Sequence, residues 1–161
     1  MVTYVLAFGM LGQVVGGSFC DWTTRRMGRR WGRVIPIVSA KVLCVGAYVC
    51  CPFVESTWLL IACCALVSFG TDMASPAGWA FMTDVGGRGT AAAMGWGNMW
   101  GNLGASASSM LIPWLIAHGE GDGRKLVFFT LAGAFALAGL VVLPMDATKK
   151  LLPDDEPPSR Q

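Results

Sequence analysis

The amino-acid sequence predicts an all-α membrane protein that crosses the bilayer five times. Hydrophobic residues make up 54% of the chain and charged residues only 14%, whereas soluble domains carry about 25% charged residues. The apolar residues fall into stretches near the length of about 20 that a helix needs to cross the hydrocarbon core. The basic residues, in contrast, concentrate in short connectors between these stretches.

The apolar stretches define a transmembrane helical domain over residues 1–145. Its predicted spans are 1–20, 34–54, 57–83, 90–117 and 125–145. The second and third spans are joined by a tight turn at Glu55-Ser56, and the polar segment HGEGDGR precedes the fifth span. Residues 146–161 combine proline with charged side chains. That composition buries too little apolar surface to fold, so this segment is predicted to be a disordered cytoplasmic tail.

The first connector determines the predicted orientation. Short cytoplasmic connectors carry an excess of Lys and Arg, and this one holds Arg25, Arg26, Arg29, Arg30 and Arg33. With this connector in the cytoplasm, Met1 lies outside and the carboxyl terminus inside. Only Arg124 and Lys125 then lie on the outer side. A first span that begins outside with nothing ahead of it predicts that upstream helices are missing.

The remaining reactive side chains predict neither an enzyme nor a metal protein. The six cysteines lie in or beside apolar segments, so we interpret them as packing thiols. The single histidine, His118, lies in an outer connector, and no serine–histidine–acid set or phosphate-binding loop is present. Lys41 lies inside a span, where its long stem is expected to carry the ammonium to the cytoplasmic headgroups.

The arginine-rich connector resembles the loop signature of the major facilitator superfamily. That signature joins two helices with a glycine, an aspartate, a basic pair, a second glycine and a second basic pair. The matching residues are Gly17, Asp21, Arg25, Arg26, Gly28, Arg29 and Arg30. Trp22 departs from the pattern, because the family usually has a basic residue after the aspartate.

A second stretch, residues 75–116, resembles the tenth and eleventh helices of the anion:cation symporter branch of that superfamily. The similar residues are Pro76, Trp79, Thr83, Asp84, Gly97, Asn98, Gly101, Asn102 and Gly104. The resemblance implies the carboxyl-terminal five helices of a twelve-helix bundle in the inner or plasma membrane. Members of this branch carry small organic anions such as hexuronates and other sugar acids.

The resemblance also implies the partners of the chain. These are an organic anion, the lipid bilayer and the missing amino-terminal helices of the same carrier; no nucleic acid and no cofactor are expected. The coupling ion is a proton or sodium, and the chain alone is expected not to transport. The alternative is a small five-span accessory or structural protein of the membrane.

The candidate substrate-binding residues are Asn98, Trp79, Asp72 and Ser75. Asn98 and Asn102 lie four residues apart and share a helix face, and carboxamides within a membrane need polar partners. For Asn98, contact with substrate and contact with another helix remain open, whereas for Asn102 we favour a contact between helices. Small residues at such spacing allow close helix packing, a role predicted for Gly97, Gly101 and Gly104 together with Asn102.

Asp72 lies about 16 Å, at about 1.5 Å per residue, from the cytoplasmic end of its span. A carboxylate at that depth must be paired, hydrated or protonated, so Asp72 is either a proton- or substrate-linked group or a packing residue. Trp79 would supply an aromatic wall to a sugar acid. The arginine connector has two interpretations: topology alone, or a gate in which Asp21 pairs with arginines in one transport state.

Overall fold

The computed structural model describes residues 2–119 and 121–150, and within them every regular element is helical. The four helices are α1 (Val2–Cys50), α2 (Thr57–Gly86), α3 (Thr90–His118) and α4 (Gly123–Val142). Short 3-10 turns, Cys51–Phe53 and Gly87–Gly89, follow α1 and α2. No strand occurs among the described residues, and the predicted all-α class is confirmed.

Within the described residues, three helical stretches are long and apolar enough to cross a membrane. They are Thr3–Phe53, Thr57–His118 and Gly123–Val142, with 51, 62 and 20 residues. The predicted fourth span, 90–117, nearly coincides with α3, and the predicted fifth, 125–145, is shifted by two or three residues from α4. The count of five crossings stays a prediction.

Gly28 interrupts α1 and divides it into a first arm, residues 2–27, and a second arm, residues 29–50. Its backbone has φ 81° and ψ 175°, a conformation that only glycine adopts without strain. The connector predicted between the first two spans is therefore helical except at Gly28. Threonine is tolerated in helices and arginine is a good helix former, so the helices continue beyond the apolar stretches.

The first arm of α1 packs very closely against α2 through two glycines. A Cβ placed on Gly12 would collide with the backbone of Phe69, and one on Gly16 with the backbone of Met73. Small residues at such a crossing let two helix backbones approach each other. This contact fixes the position of the middle of α2.

The buried residues lie mainly between α1 and α2, which share the most extensive interface in the described chain. One cluster is formed by Cys20, Ile37, Ala40, Met73, Ala74 and Ala77. The helix α4 covers the second arm of α1, where Phe135 packs against Cys44 and its neighbours. All six cysteines are free thiols.

Helix α3 is the least covered of the four. Its one buried residue is Leu115, whereas Trp96, Trp100 and Met110 are more than half exposed. A helix that is apolar on all sides belongs in a membrane or in the core of a larger assembly. The surface of α3 is thus available to lipid or to further helices.

The connectors gather at two ends of the helix bundle. At one end, the Arg124 guanidinium donates a hydrogen bond to the Val54 carbonyl oxygen at 3.0 Å. At the other end lie the Gly28 break and Asp146, whose carboxylate accepts hydrogen bonds from the Thr148 hydroxyl and N–H. These bonds, with a smaller contribution from the charge of Arg30, hold the pKa of Asp146 below its ordinary value. The predictions for Met1 and for residues 151–161 of the tail lie outside the described residues.

Candidate functional site: a groove between α2 and α3

A groove of about 290 Å³ lies between α2 and α3. Helix α2 contributes Ser75, Gly78, Trp79 and Met82, and α3 contributes Met94, Gly97, Asn98 and Gly101. On both helices the lining positions follow the spacing i, i+3, i+4, i+7, which places them on a single helix face. The groove thus joins one face of each helix.

Three of the four candidate substrate residues line this groove. The Ser75 hydroxyl donates to the Thr71 carbonyl oxygen at 3.4 Å, a long bond that leaves its lone pairs accessible. The Trp79 side chain is 50% exposed, and Asn98 is also exposed. Within the described residues, no partner hydrogen-bonds the Asn98 carboxamide or the Trp79 indole N–H. The groove therefore presents a hydroxyl, an indole and an amide to a ligand.

Asp72 lies elsewhere. A Cβ added to Gly9 would collide with the Asp72 carboxylate and lie 2.8 Å from the Ser68 hydroxyl. The carboxylate therefore faces the first arm of α1 and is only half-buried. Asp72 is absent from the lining of the α2–α3 groove, although it precedes Ser75 by only one helical turn on α2.

The residues predicted to pack helices divide into two groups. Gly97 lies directly against Met82, because an added Cβ would come within 2.8 Å of the Met82 Cε atom. Gly101 and Gly104 have open space where a side chain would point. The Asn102 amide donates to the Asn98 carbonyl oxygen of its own helix at 2.8 Å. Among these three glycines, then, only Gly97 lies against a neighbouring helix of the described chain.

The predicted gating residues lie at the Gly28 end of the bundle, and most are exposed. Asp21 and the arginines Arg25, Arg26, Arg29 and Arg30 are all exposed. Arg26 lies over the Trp22 ring at 5.8 Å, and Arg30 lies over the Trp31 ring at 5.5 Å. Gly17 faces open space, and Gly28 forms the break in α1.

An ion pair at this end joins Arg33 of α1 to Asp84 of α2, two residues that the sequence analysis did not pair. The Arg33 Nε atom lies 2.9 Å from Asp84 Oδ2, and the two side chains are 14% and 20% exposed. Arg33 also donates to the Cys20 thiol at 3.0 Å and to the Thr24 hydroxyl at 3.2 Å. Arg33 therefore ties the second arm of α1 to both the first arm and the end of α2.

Metal-ligating side chains do not cluster in residues 2–119 and 121–150. No group of three or more His, Cys, Asp or Glu residues there could hold a metal ion. His118, at the end of α3, stacks on Trp114 with ring centroids 4.7 Å apart.

Comparison with known proteins identifies related carriers. The chain is 29% identical over 140 residues to the probable galactarate/D-glucarate transporter GudP of Escherichia coli (strain K12), covering 86% of this chain and 31% of that protein. It is 29% identical over 137 residues to the protein of the same description from Bacillus subtilis (strain 168), covering 83% and 29%. The probable galactarate/D-glucarate transporter GarP of Escherichia coli (strain K12) is 27% identical over 135 residues, covering 83% and 29%.

The chain spans about a third of the length of these relatives. No solved structure matches it. The family model described as Major Facilitator Superfamily matches residues 1–161, the whole chain. Together with the apolar helices, this match indicates a multi-pass membrane protein of a transporter family and confirms the family that the sequence predicted. The chain belongs to the Major Facilitator Superfamily.

Proposed function

We propose that this chain is the carboxyl-terminal part of a secondary active carrier for a small organic anion, a sugar acid or related carboxylate. The carrier works by alternating access in the inner or plasma membrane and is driven by a proton or sodium ion. Two observations outside the groove support this proposal. The relatives are named as sugar-acid transporters, and the chain accounts for about a third of their length.

The lengths of the helical stretches support five crossings. A crossing takes about 20 residues, so the stretches Thr3–Phe53 and Thr57–His118 each have room for two, and Gly123–Val142 for one. The break at Gly28 and the turn at Gly87–Gly89 divide the two long stretches near their middles. Helices upstream of this chain would complete the bundle and cover the exposed face of α3.

The observation that carries the proposal is the α2–α3 groove with Ser75, Trp79 and Asn98 in its lining. Carriers of this kind bind substrate near the bilayer midplane, between two halves that rock around it. Ser75 lies three residues from Asp72, which we place near the midplane, so the Ser75 end of the groove reaches about that depth.

The lining also fits the chemistry of a sugar acid. The Asn98 amide and the Trp79 indole N–H can donate hydrogen bonds to carboxylate or hydroxyl oxygens, and the Ser75 hydroxyl can accept one. The Trp79 ring offers an apolar wall to the carbon backbone. None of the described residues that line the groove is basic, so a residue from the other half would neutralise the charge of the anion.

We expect Asn98→Ala to weaken substrate binding in the assembled carrier without lowering expression. Losing a hydrogen bond to a charged ligand costs about 1.5–3 kcal/mol, which corresponds to roughly 10- to 150-fold in Kd. The measurement is calorimetric titration of the purified carrier with D-glucarate.

The matched control is Asn102→Ala, one helical turn further along α3. Asn102 bonds its own helix and does not line the groove, so binding should stay near the wild-type value. Because this exposed side chain bonds only its own helix, the stability of the variant should also stay within about 0.5 kcal/mol of the wild type. Unchanged binding by Asn98→Ala would exclude Asn98 from the site. No binding of any organic anion by the wild-type carrier would favour an accessory protein.

A further inference from the structure

A second groove, also of about 290 Å³, lies between the second arm of α1 and α4. Its walls are apolar except for one residue. The lining consists of Val38, Lys41, Val42, Val45, Phe135, Ala136, Gly139, Leu140 and Leu143. It shares no residue with the α2–α3 groove, and Val42 and Leu140 on its two sides are 66% and 63% exposed. This groove therefore opens to the outside of the bundle, towards lipid.

The exception is Lys41, whose charge has no acidic partner among the described residues. Its ammonium lies over the Phe135 ring, 4.6 Å from the centroid. The Lys41 Cβ atom is opposite Gly139, and Phe135 is one helical turn from Gly139 in the direction of Gly123. The side chain thus points away from the arginine-rich end, contrary to the sequence-based expectation, because the aromatic face attracts the cation.

We infer that this groove binds an anionic phospholipid, whose acyl chain lies along the apolar walls and whose phosphate pairs with the Lys41 ammonium. A lysine inside a transmembrane segment requires an anion or a route to water. Basic pockets between transmembrane helices on the cytoplasmic side bind the headgroups of anionic lipids. The groove extends to Leu143, near the arginine-rich end that we place in the cytoplasm.

The shape and charge of the groove together favour a lipid over other anions. A free phosphate could pair with one cation, but the long apolar surface would give it no hydrogen bonds. A neutral lipid would cover the apolar walls with its acyl chain but would leave the Lys41 ammonium without an anionic partner. The four-carbon stem of Lys41 has enough rotatable bonds to move the ammonium from Phe135 to a phosphate nearer Leu143.

The test is thermal unfolding of the purified protein in mild detergent with graded phosphatidylglycerol, phosphatidylcholine or inorganic phosphate. Phosphatidylglycerol should raise the unfolding midpoint more than phosphatidylcholine does, and inorganic phosphate should leave it unchanged. Lys41→Met should weaken the apparent affinity for phosphatidylglycerol about fivefold, the effect of one basic residue near an anionic surface. Lys125→Met is the control, because Lys125 pairs with Asp122 at 2.8 Å at the other end of the bundle.

A second variant tests the apolar walls without altering charge. Ala136 is exposed within the groove, so Ala136→Phe should fill it and reduce stabilisation by both lipids. Equal stabilisation by the two lipids in the wild type would overturn the inference. So would a phosphatidylglycerol preference that survives Lys41→Met, stabilisation by inorganic phosphate alone, or undiminished lipid binding by Ala136→Phe.

Discussion

Replacing Gly16 by leucine is expected to force the first arm of α1 away from α2 and to leave little folded protein. A side chain at this position would meet the Met73 carbonyl oxygen, and a backbone cannot rotate aside as a flexible side chain can. Overpacking of a tight contact costs about 1–3 kcal/mol and occasionally more, and we expect the upper end of that range here. Thermal unfolding in detergent, with the yield of monodisperse protein, measures the effect.

The adjacent glycine provides the control. An added Cβ at Gly17 meets no atom within 4 Å, and the two positions share the same helix and the same change in helix propensity. The free energy of unfolding of Gly17→Leu should therefore lie within about 0.5 kcal/mol of the wild-type value, as is usual for surface substitutions. Equal stability of the two variants would show that the first arm does not pack on α2 through Gly16.

The second large effect is expected at the Arg33–Asp84 ion pair. Asp84→Asn removes the charged acceptor of a pair whose side chains are only 14% and 20% exposed. Arg33 would keep its bonds to Cys20 and Thr24 but lose its counter-charge. Losing a hydrogen bond to a charged group costs about 1.5–3 kcal/mol, so the free energy of unfolding should fall by about that amount.

An exposed ion pair in the same chain serves as the comparison. Lys125 and Asp122 pair at 2.8 Å within one helical turn, and their side chains are 53% and 74% exposed. Such pairs contribute about 0.3–0.5 kcal/mol, so Asp122→Asn should have a small effect. If Asp84→Asn were no more destabilising than Asp122→Asn, the ion pair would not hold the second arm of α1 to α2.

Features that depend on neighbouring residues along the chain could be predicted from the sequence. The predicted span 90–117 nearly matches α3, because an apolar run between glycine-rich turns has clear ends. The spacing of Ser75 and Trp79 on α2 and of Gly97 and Asn98 on α3 follows the helical period, and the structure brings these two faces together. The pairing of the two helices comes from the structure, because periodicity along one helix does not show which other helix it packs against.

Features that depend on how helices cross could not be predicted in the same way. The position of Asp72 is set by its contact with Gly9, more than sixty residues earlier in the chain. Arg33 and Asp84 are 51 residues apart. The sequence predicts for Arg33 only a place among the cytoplasmic arginines of the first connector. The pair could have been suspected from the sequence, because Asp84 and the arginine connector are predicted on the same side of the membrane, where opposite charges tend to pair.

The most direct measurement of the central claim is uptake of labelled D-glucarate into proteoliposomes. The proposed carrier would be prepared in two forms: this chain joined to the amino-terminal helices that the proposal requires, and this chain alone. We predict uptake by the joined form that an ion gradient drives and that Asn98→Ala reduces, and no uptake by the chain alone, because alternating access needs both halves. Uptake by the chain alone, or a joined form that carries no organic anion, would contradict the account.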